Sequence, residues 1–439
     1  MRVMARPAPD FPLTDADRCV KCALCLPHCP TYRVAKDEGE SPRGRIALMQ
    51  GLATGMLEAS PRLAAHLDHC LACRACEAVC PAEVPYGKLI DAARLELGRR
   101  GYREPWIARH FARHMRYNFQ RRMVQRFLWW MDRAGLLHLL TRWRGLGSSR
   151  LQRMLALLPT VPAPRRWEPV YEPRKASGAK VQLFLGCVAD IAQPQVTASA
   201  IAVLNAIGIE VQIPRTQGCC GALDQHAGRA NEAGALARAN LAAFGGDTPI
   251  LGTASGCIAS LKEYPQIAGP EAAGFAERVE DIAAWLAGNP ILPQVEFKPW
   301  HARALVQAPC TQRNVLKTEK AGFELLKLIP GLKVKAIPAS LGCCGAAGSY
   351  MLTQAETADA LADTYAVYIQ EHKAEVLFTS NVGCALHLRA ALARRGIRIP
   401  VLHPIEALAQ QLPDAMYKPG LDITTRGRVP EQSSENVSF

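Results

Sequence analysis

From Lys180 onward, short apolar runs rich in β-branched residues alternate with longer alanine-rich stretches. Val181 to Leu185, Ile209 to Ile213, Leu305 to Gln307, Val334 to Ile337 and Val376 to Thr379 read as strands. Residues 196–207, 230–244 and 355–371 read as the helices between them. The pattern occurs twice. One copy runs VQLFLGC to Cys187, GIEVQIPRTQGCCGA to Ala222 and ILGTASGC to Cys257. The other runs ARALVQAPC to Cys310, GLKVKAIPASLGCCGA to Ala346 and VLFTSNVGC to Cys384. Intervals of 31 and 36 residues between the cysteines of the first copy become 32 and 39 in the second. This predicts a duplicated α/β domain with its cysteines at strand carboxyl ends, where open sheets of this class place ligands.

The N-terminal part has a different rhythm. Ser41-Pro42 is an N-cap followed by Pro at the first helical position, and Ile46, Leu48, Met49 and Leu52 follow at helical spacing. Leu89, Ile90, Ala93 and Leu97 form a second apolar stripe after Pro85. Residues 99–153 interleave fourteen arginines with Trp106, Phe111, Met115, Phe119, Phe127, Trp129, Trp130 and Trp143, which predicts basic amphipathic helices. Five prolines in 159–178 predict an extended linker, and the polar stretch 416–439 a loose tail.

The expected architecture is α+β and multidomain. A helical ferredoxin domain occupies 1–98, basic helices and a Pro-rich linker 99–178, a first cysteine-rich α/β unit 179–295, a second 296–415 and the tail 416–439.

Composition narrows the class. With 49% hydrophobic and 21% charged residues in 439, the chain is globular. Only Glu104 and Asp132 oppose the fourteen arginines, so nearly all of the formal +13 resides in 99–153. No apolar run approaches the roughly 18 to 20 residues of a membrane span. The start, MRVMARPAPDFPL, lacks a secretory h-region, so a cytoplasmic chain is expected, with peripheral attachment to the inner face of the membrane open to the basic segment.

Sixteen cysteines are hard to explain as disulfides in a reducing compartment. They partition four by four with none left over. Cys19, Cys22, Cys25, Cys29-Pro30 and Cys70, Cys73, Cys76, Cys80-Pro81 are two bacterial ferredoxin runs, Cys-x2-Cys-x2-Cys-x3-Cys-Pro. In such runs the fourth cysteine serves the neighbouring cluster. Cys19, Cys22, Cys25 and Cys80 are therefore assigned to one 4Fe-4S cluster, and Cys70, Cys73, Cys76 and Cys29 to the other. Structural zinc sites instead present two separated Cys-x2–4-Cys knuckles.

The remaining cysteines form two sets, Cys187, Cys219, Cys220, Cys257 and Cys310, Cys343, Cys344, Cys384. Adjacent cysteines followed by Gly221 or Gly345 imply one shared site per unit, with the glycine turning the backbone close to a bulky group. Four soft ligands suit a further iron-sulfur cluster or zinc, and units without metal or with redox-active thiols remain open.

The two ferredoxin runs, Pro42-Arg43-Gly44-Arg45-Ile46, His66-Leu67-Asp68-His69-Cys70, both Cys-Cys-Gly units, Thr253-Ala254-Ser255-Gly256-Cys257 and Lys262-Glu263-Tyr264 together resemble the iron-sulfur subunit family of bacterial glycolate oxidase. The likeness runs from about residue 15 to 410. It implies an oxidoreductase complex in which FAD-binding dehydrogenase subunits oxidise glycolate or a related 2-hydroxy acid and this chain passes the electrons toward quinone. D-lactate and glycerol-3-phosphate dehydrogenase subunits share much of this framework. Heterodisulfide reductases do too, but their complete unit has a fifth cysteine three residues after the last. Here Ser260 and His387 stand at those positions, which argues against a thiol-disulfide enzyme. His387 could still ligate in place of a thiolate, against a solvent-facing or capping role.

No G-x-G-x-x-G follows a strand and no P-loop occurs, so the chain itself is not expected to bind flavin, nicotinamide or nucleotide phosphate. Asp224 and His226 read as structural, and no catalytic residue is assigned. The arginine-rich segment reads as a docking surface for an acidic flavoprotein or anionic lipid, with an internal strap as the alternative; nucleic acid is not expected.

Overall fold

The computed structural model describes residues 8–137, 157 and 161–416. The N-terminal part is helical, as the pattern predicts. Ser41 accepts from the Gly44 amide at 2.9 Å and caps Pro42–Thr54 (α1), which Gly55 ends in the left-handed conformation. Side-chain capping of this kind satisfies a backbone donor that the helix cannot. Gly44 is forced by a close approach, since a Cβ there would lie 1.9 Å from the Glu38 carbonyl oxygen. Ser60 caps Pro61–Asp68 (α2), and Tyr86–Arg99 (α3) follows. Ile46, Met49 and Leu52 of α1, Leu63 and Leu67 of α2, and Leu89, Ile90, Ala93 and Leu97 of α3 close one core.

The basic segment forms Trp106–Arg116 (α4) and Asn118–Arg133 (α5). These helices do more than face outward. Met115 is buried beside Cys187, Cys219 and Cys220, Arg116 pairs with the buried Asp224, and Asn118 and Gln125 donate to the Gln217 and Ile191 carbonyls. The inner faces are therefore a strap across the first cysteine-rich unit. Arg116 and Arg121 lie in the segment expected to dock a partner, but they point inward onto Asp224 and Asp190 of the first unit; Arg109, Arg113, Arg122 and Arg126 remain exposed. Trp143 and the end of the basic segment lie outside the described residues.

The linker is also less free than its prolines suggest. Val170–Tyr171 (β1) pairs antiparallel with Glu210–Gln212 (β3), while Lys180–Phe184 (β2), Ile250–Gly252 (β4) and Val279–Asp281 (β5) complete a sheet of order β1-β3-β2-β4-β5. Apart from β1 this sheet is parallel. The second unit repeats it with Ala302–Gln307 (β6), Leu332–Ala336 (β7), Val376–Thr379 (β8) and Val401–Leu402 (β9), all parallel in the order β7-β6-β8-β9.

The units do not bury their cores separately. Pro194–Ala206 (α6) is buried on nearly every face, Thr197 and Ser199 included, because it lies between the units and packs on Pro404–Gln410 (α7). One cluster runs from Val181, Ile201 and Val211 through Phe297 to Val306, Phe378, Ile405 and Leu408. The expected 416–439 tail falls outside the described residues after Met416.

Candidate metal centres

Each ferredoxin run makes a tight loop in which non-glycine residues take positive φ at equivalent places: Lys21 and Ala23 between the first three cysteines, Ala72 and Arg74 in the second run. Such conformations cost on the order of 1 kcal/mol or more each and persist where the surroundings demand them. The same pair of turns in both runs winds each loop round a centre.

Those centres are cavities. One is lined by Cys19, Cys22, Cys25, Cys80 and Cys76, with Val20, Leu24 and Tyr86. Its neighbour is lined by Cys70, Cys73, Cys76 and Cys29, with Arg45 and Arg74. The structure thus brings Cys80 to the first run's cysteines and Cys29 to the second's. Pro30 opens the helix Pro30–Ala35 directly after Cys29 and fixes its approach. The first cavity is rimmed by exposed residues, Cys22 and Val20, the latter 72% exposed; the second is the inner of the two, with Cys29, Thr31, Arg45 and Leu71 buried in its lining. Burial pushes the Cys73 and Cys76 thiols well up, so their ionisation needs a bound cationic centre.

Beside the interior cavity lies a charge network that reading the sequence missed. Arg45 is 1% exposed; it donates to the His66 carbonyl at 2.6 Å, to Thr31 at 3.0 Å and to Glu40. The other Glu40 oxygen lies 2.7 Å from His66 Nδ1 and 3.0 Å from His69 Nδ1. Burial alone would raise the Glu40 carboxyl, but His69, Arg45 and His66 outweigh it and hold it below its ordinary range. Thr31 Oγ1 is 3.3 Å from Cys29 Sγ, linking the network to the ligand set. Arg45 stood out in the sequence only as part of the Pro42-Arg43-Gly44-Arg45-Ile46 segment, and Glu40 did not stand out; nothing local marks either as buried.

In the duplicated units the thiols also converge. Cys187 and Cys219 Sγ are 3.4 Å apart, and Cys344 and Cys384 Sγ 2.9 Å. Gly221 and Gly345 turn at φ +85° and +80°, and a Cβ at Gly345 would lie 2.6 Å from the Ala358 carbonyl oxygen. The Cys343 hydrogen bond and then burial push the Cys310 thiol well up; the Cys219 bond and burial do the same to Cys187. Thiols packed this closely repel one another as thiolates, so the donor set suits a cationic or iron-sulfur centre that draws their protons off. Among the described residues they are not arranged round a single-ion point.

Ser260 and His387, at the missing fifth-cysteine positions, play matching roles. Ser260 Oγ donates to the Cys220 carbonyl at 3.3 Å, and His387 Nδ1 lies 2.9 Å from the Cys344 carbonyl oxygen. His387 is 1% exposed with Nε2 toward Asp359, so it is neither solvent-facing nor turned to the thiols. Of its expected roles, the contact with the Cys344 carbonyl fits the capping one and not the ligand or solvent-facing one. Asp224 binds Arg116 and Arg229, and His226 meets Asp91, consistent with structural roles.

Comparison with known proteins matches residues 15–84 to the 4Fe-4S dicluster domain family and residues 181–262 and 304–389 to the cysteine-rich domain family. The "Probable glycolate oxidase iron-sulfur subunit" of Bacillus subtilis (strain 168) is 31% identical over 424 residues, covering 89% of this chain and 93% of that one. The "Glycolate oxidase iron-sulfur subunit" of Escherichia coli (strain K12) is 31% identical over 405 residues, covering 90% and 93%. "Lactate utilization protein A 1" of Bacillus mycoides (strain KBAB4) is 25% identical over 240 residues, 52% of this chain and 96% of that protein. With two cysteine loops built alike, two Cys-Cys-Gly units built alike and relatives matched along nine-tenths of its length, the chain belongs to the glycolate oxidase iron-sulfur subunit family.

Proposed function

We propose that the chain holds 4Fe-4S clusters on Cys19, Cys22, Cys25, Cys80 and on Cys70, Cys73, Cys76, Cys29, with a further iron-sulfur cluster in each Cys-Cys-Gly unit. In this reading it is the electron-transfer subunit of a 2-hydroxy-acid dehydrogenase, taking electrons from FAD-binding partners that oxidise glycolate and passing them toward quinone. When bound, such clusters accept and release single electrons. The chain's own residues hold the thiolates, shield the interior centre and leave one centre at the surface.

The observation that carries this reading is the spatial order of the cysteines. Exposed Cys22 opens one cavity, Cys76 lines both ferredoxin cavities, and Cys73 packs against the second Cys-Cys-Gly unit. A thiol-disulfide enzyme would need accessible thiols, whereas Cys187, Cys219, Cys220, Cys343, Cys344 and Cys384 are buried. The exposed arginines of α4 and α5 support a charged docking surface for the partners or the membrane face. No helix among the described residues is long and apolar enough to cross a membrane.

The test is anaerobic co-purification with the neighbouring gene products, followed by iron, sulfide and flavin analysis and assay with glycolate and D-lactate. Glycolate-dependent quinone reduction with about eight or more irons on this chain is expected from two or more four-iron clusters. Zinc with negligible acid-labile sulfide would overturn the reading, and preference for D-lactate would move the substrate.

A further inference from the structure

Both Cys-Cys-Gly units hold one guanidinium at the position three residues past their first cysteine, but they draw it from different places. In the second unit it is Arg313, three residues after Cys310. Its Nη1 donates to the Ala339 carbonyl at 2.9 Å and its Nη2 to that of Gly342, just before Cys343, while its buried Nε has no partner among the described residues. The matching position after Cys187 in the first unit is Asp190, which cannot do this. Arg121 arrives instead from α5, outside the repeat, with Nη2 3.4 Å from Asp190 Oδ2. Trp167 Nε1 donates to the other Asp190 oxygen at 2.8 Å and fixes the carboxylate.

Arg121 is only 4% exposed, yet among the described residues its buried Nε and Nη1 have no hydrogen-bond partner. Buried, unpaired N–H groups on a cation cost several kcal/mol unless an acceptor faces them. Asp190 occupies one side of the guanidinium. Cys187 is the residue before the short helix that carries Asp190, so the carboxylate that holds Arg121 stands three residues past the unit's first thiol. Met115 of α4 seals the same thiols from solvent.

We propose that Arg121 is a binding residue of the first unit, donating N–H groups to the sulfur of an anionic, thiolate-ligated iron-sulfur centre there, as Arg313 does in the second. The inference rests on the reading that these units hold clusters. It gives the strap a purpose: α5 completes a site that the repeat leaves one cation short.

The test uses the anaerobically purified full chain, with iron and sulfide per chain, EPR spectra and potentiometric titration. Wild type with iron in the ferredoxin half alone would sink the underlying reading, and this inference with it. If wild type holds more, R121M/D190N removes both partners of the buried pair without stranding a charge. It should lose the first unit's share of iron or shift that centre's potential downward, while ferredoxin signals persist. R121M/D190R, which moves the guanidinium to the place the second unit uses, should restore it. Unchanged iron and potential in a folded R121M/D190N would overturn the proposal, since a merely structural pair predicts that result. Should that variant fail to fold, R121K keeps the charge but not the fork of donors; an unaltered first-unit spectrum and potential there would equally overturn it.

Discussion

Cys73 and Cys310 pack against one buried cluster formed by Leu71, Cys343, Tyr350, Ala358 and Leu361, and Asn314 Nδ2 donates to the Cys73 carbonyl at 2.6 Å. Among the described residues, the first unit's thiols sit in a different cluster that contains no ferredoxin cysteine. The duplicated units are therefore unequal neighbours of the interior ferredoxin centre. EPR of the partly reduced chain should show magnetic broadening between the Cys70-run centre and the second unit. C310S should remove that broadening and C187S should not; equal effects would contradict the asymmetry.

Because Cys80 lines the first cavity and Cys29 the second, C80S should damage the centre held by Cys19, Cys22 and Cys25, and C29S the one held by Cys70, Cys73 and Cys76. Resolved EPR or Mössbauer spectra read this directly. Damage confined to the mutated run's own centre would refute it.

Arg45→Met should strand the Glu40 carboxylate, which is 6% exposed, beside the interior cavity. Removing one partner of a buried pair costs about 3 to 5 kcal/mol, whereas removing both costs far less. Anaerobic denaturant titration should show that loss for R45M and recovery of much of it for E40Q/R45M.

The C-terminal helix α7 carries an acid-sensitive and a base-sensitive group side by side. Burial pushes the Glu406 carboxyl up to about 7 and the neighbouring His403 imidazole down to about 4. A carboxyl raised in the fold binds more protons there than in the unfolded chain, so its stabilising protonated state is present below its ordinary value of 4.5 and is lost as pH rises through 7. His403 works oppositely, its neutral fold being lost as pH falls from 6.5 toward 4. Glu406→Gln should therefore raise stability at pH 8, by on the order of 3 kcal/mol at most, and change little at pH 4.5. Thermal melts at the two pH values check it.

Phe119, Met123, Phe127 and Trp130 are exposed along α5, flanked by Arg122 and Arg126. Replacing Arg109, Arg113, Arg122 and Arg126 by glutamine should weaken association with the flavin subunits or anionic vesicles in a salt-sensitive manner, since exposed charges act over roughly 8 to 10 Å at ordinary ionic strength. Iron content should not change. Loss of iron with unaltered association would show that the outer arginines are also structural.

What the sequence made legible is what is local. The Ser41-Pro42 helix start, the cysteine loops and the Val376–Thr379 strand follow from residues within a few positions of one another. The strands Val279–Asp281 and Val401–Leu402 are too short to give a period, and their identity comes from pairing with β4 and β8. The Arg121–Asp190 pair joins residues far apart in the chain, so arginines that periodicity placed on an outer face proved to be half inner. His387's role stayed open for the same reason: its partner, the Cys344 carbonyl, is a backbone atom that no sequence pattern announces.

Each sheet has a corresponding outer margin, and the two margins are finished differently. In the first unit β3 receives β1, so its outward amides and carbonyls meet the chain's own segment. In the second unit β7 is the margin, and Leu332-Lys333-Val334-Lys335-Ala336 leaves both lysines exposed along it. A bare strand edge invites a foreign strand to add to it, and charged side chains are the usual deterrent. Among the described residues, one copy is thus guarded against edge-to-edge pairing by a strand and the other by ammonium groups, which makes Lys333 and Lys335 the places where neutralisation should favour strand addition.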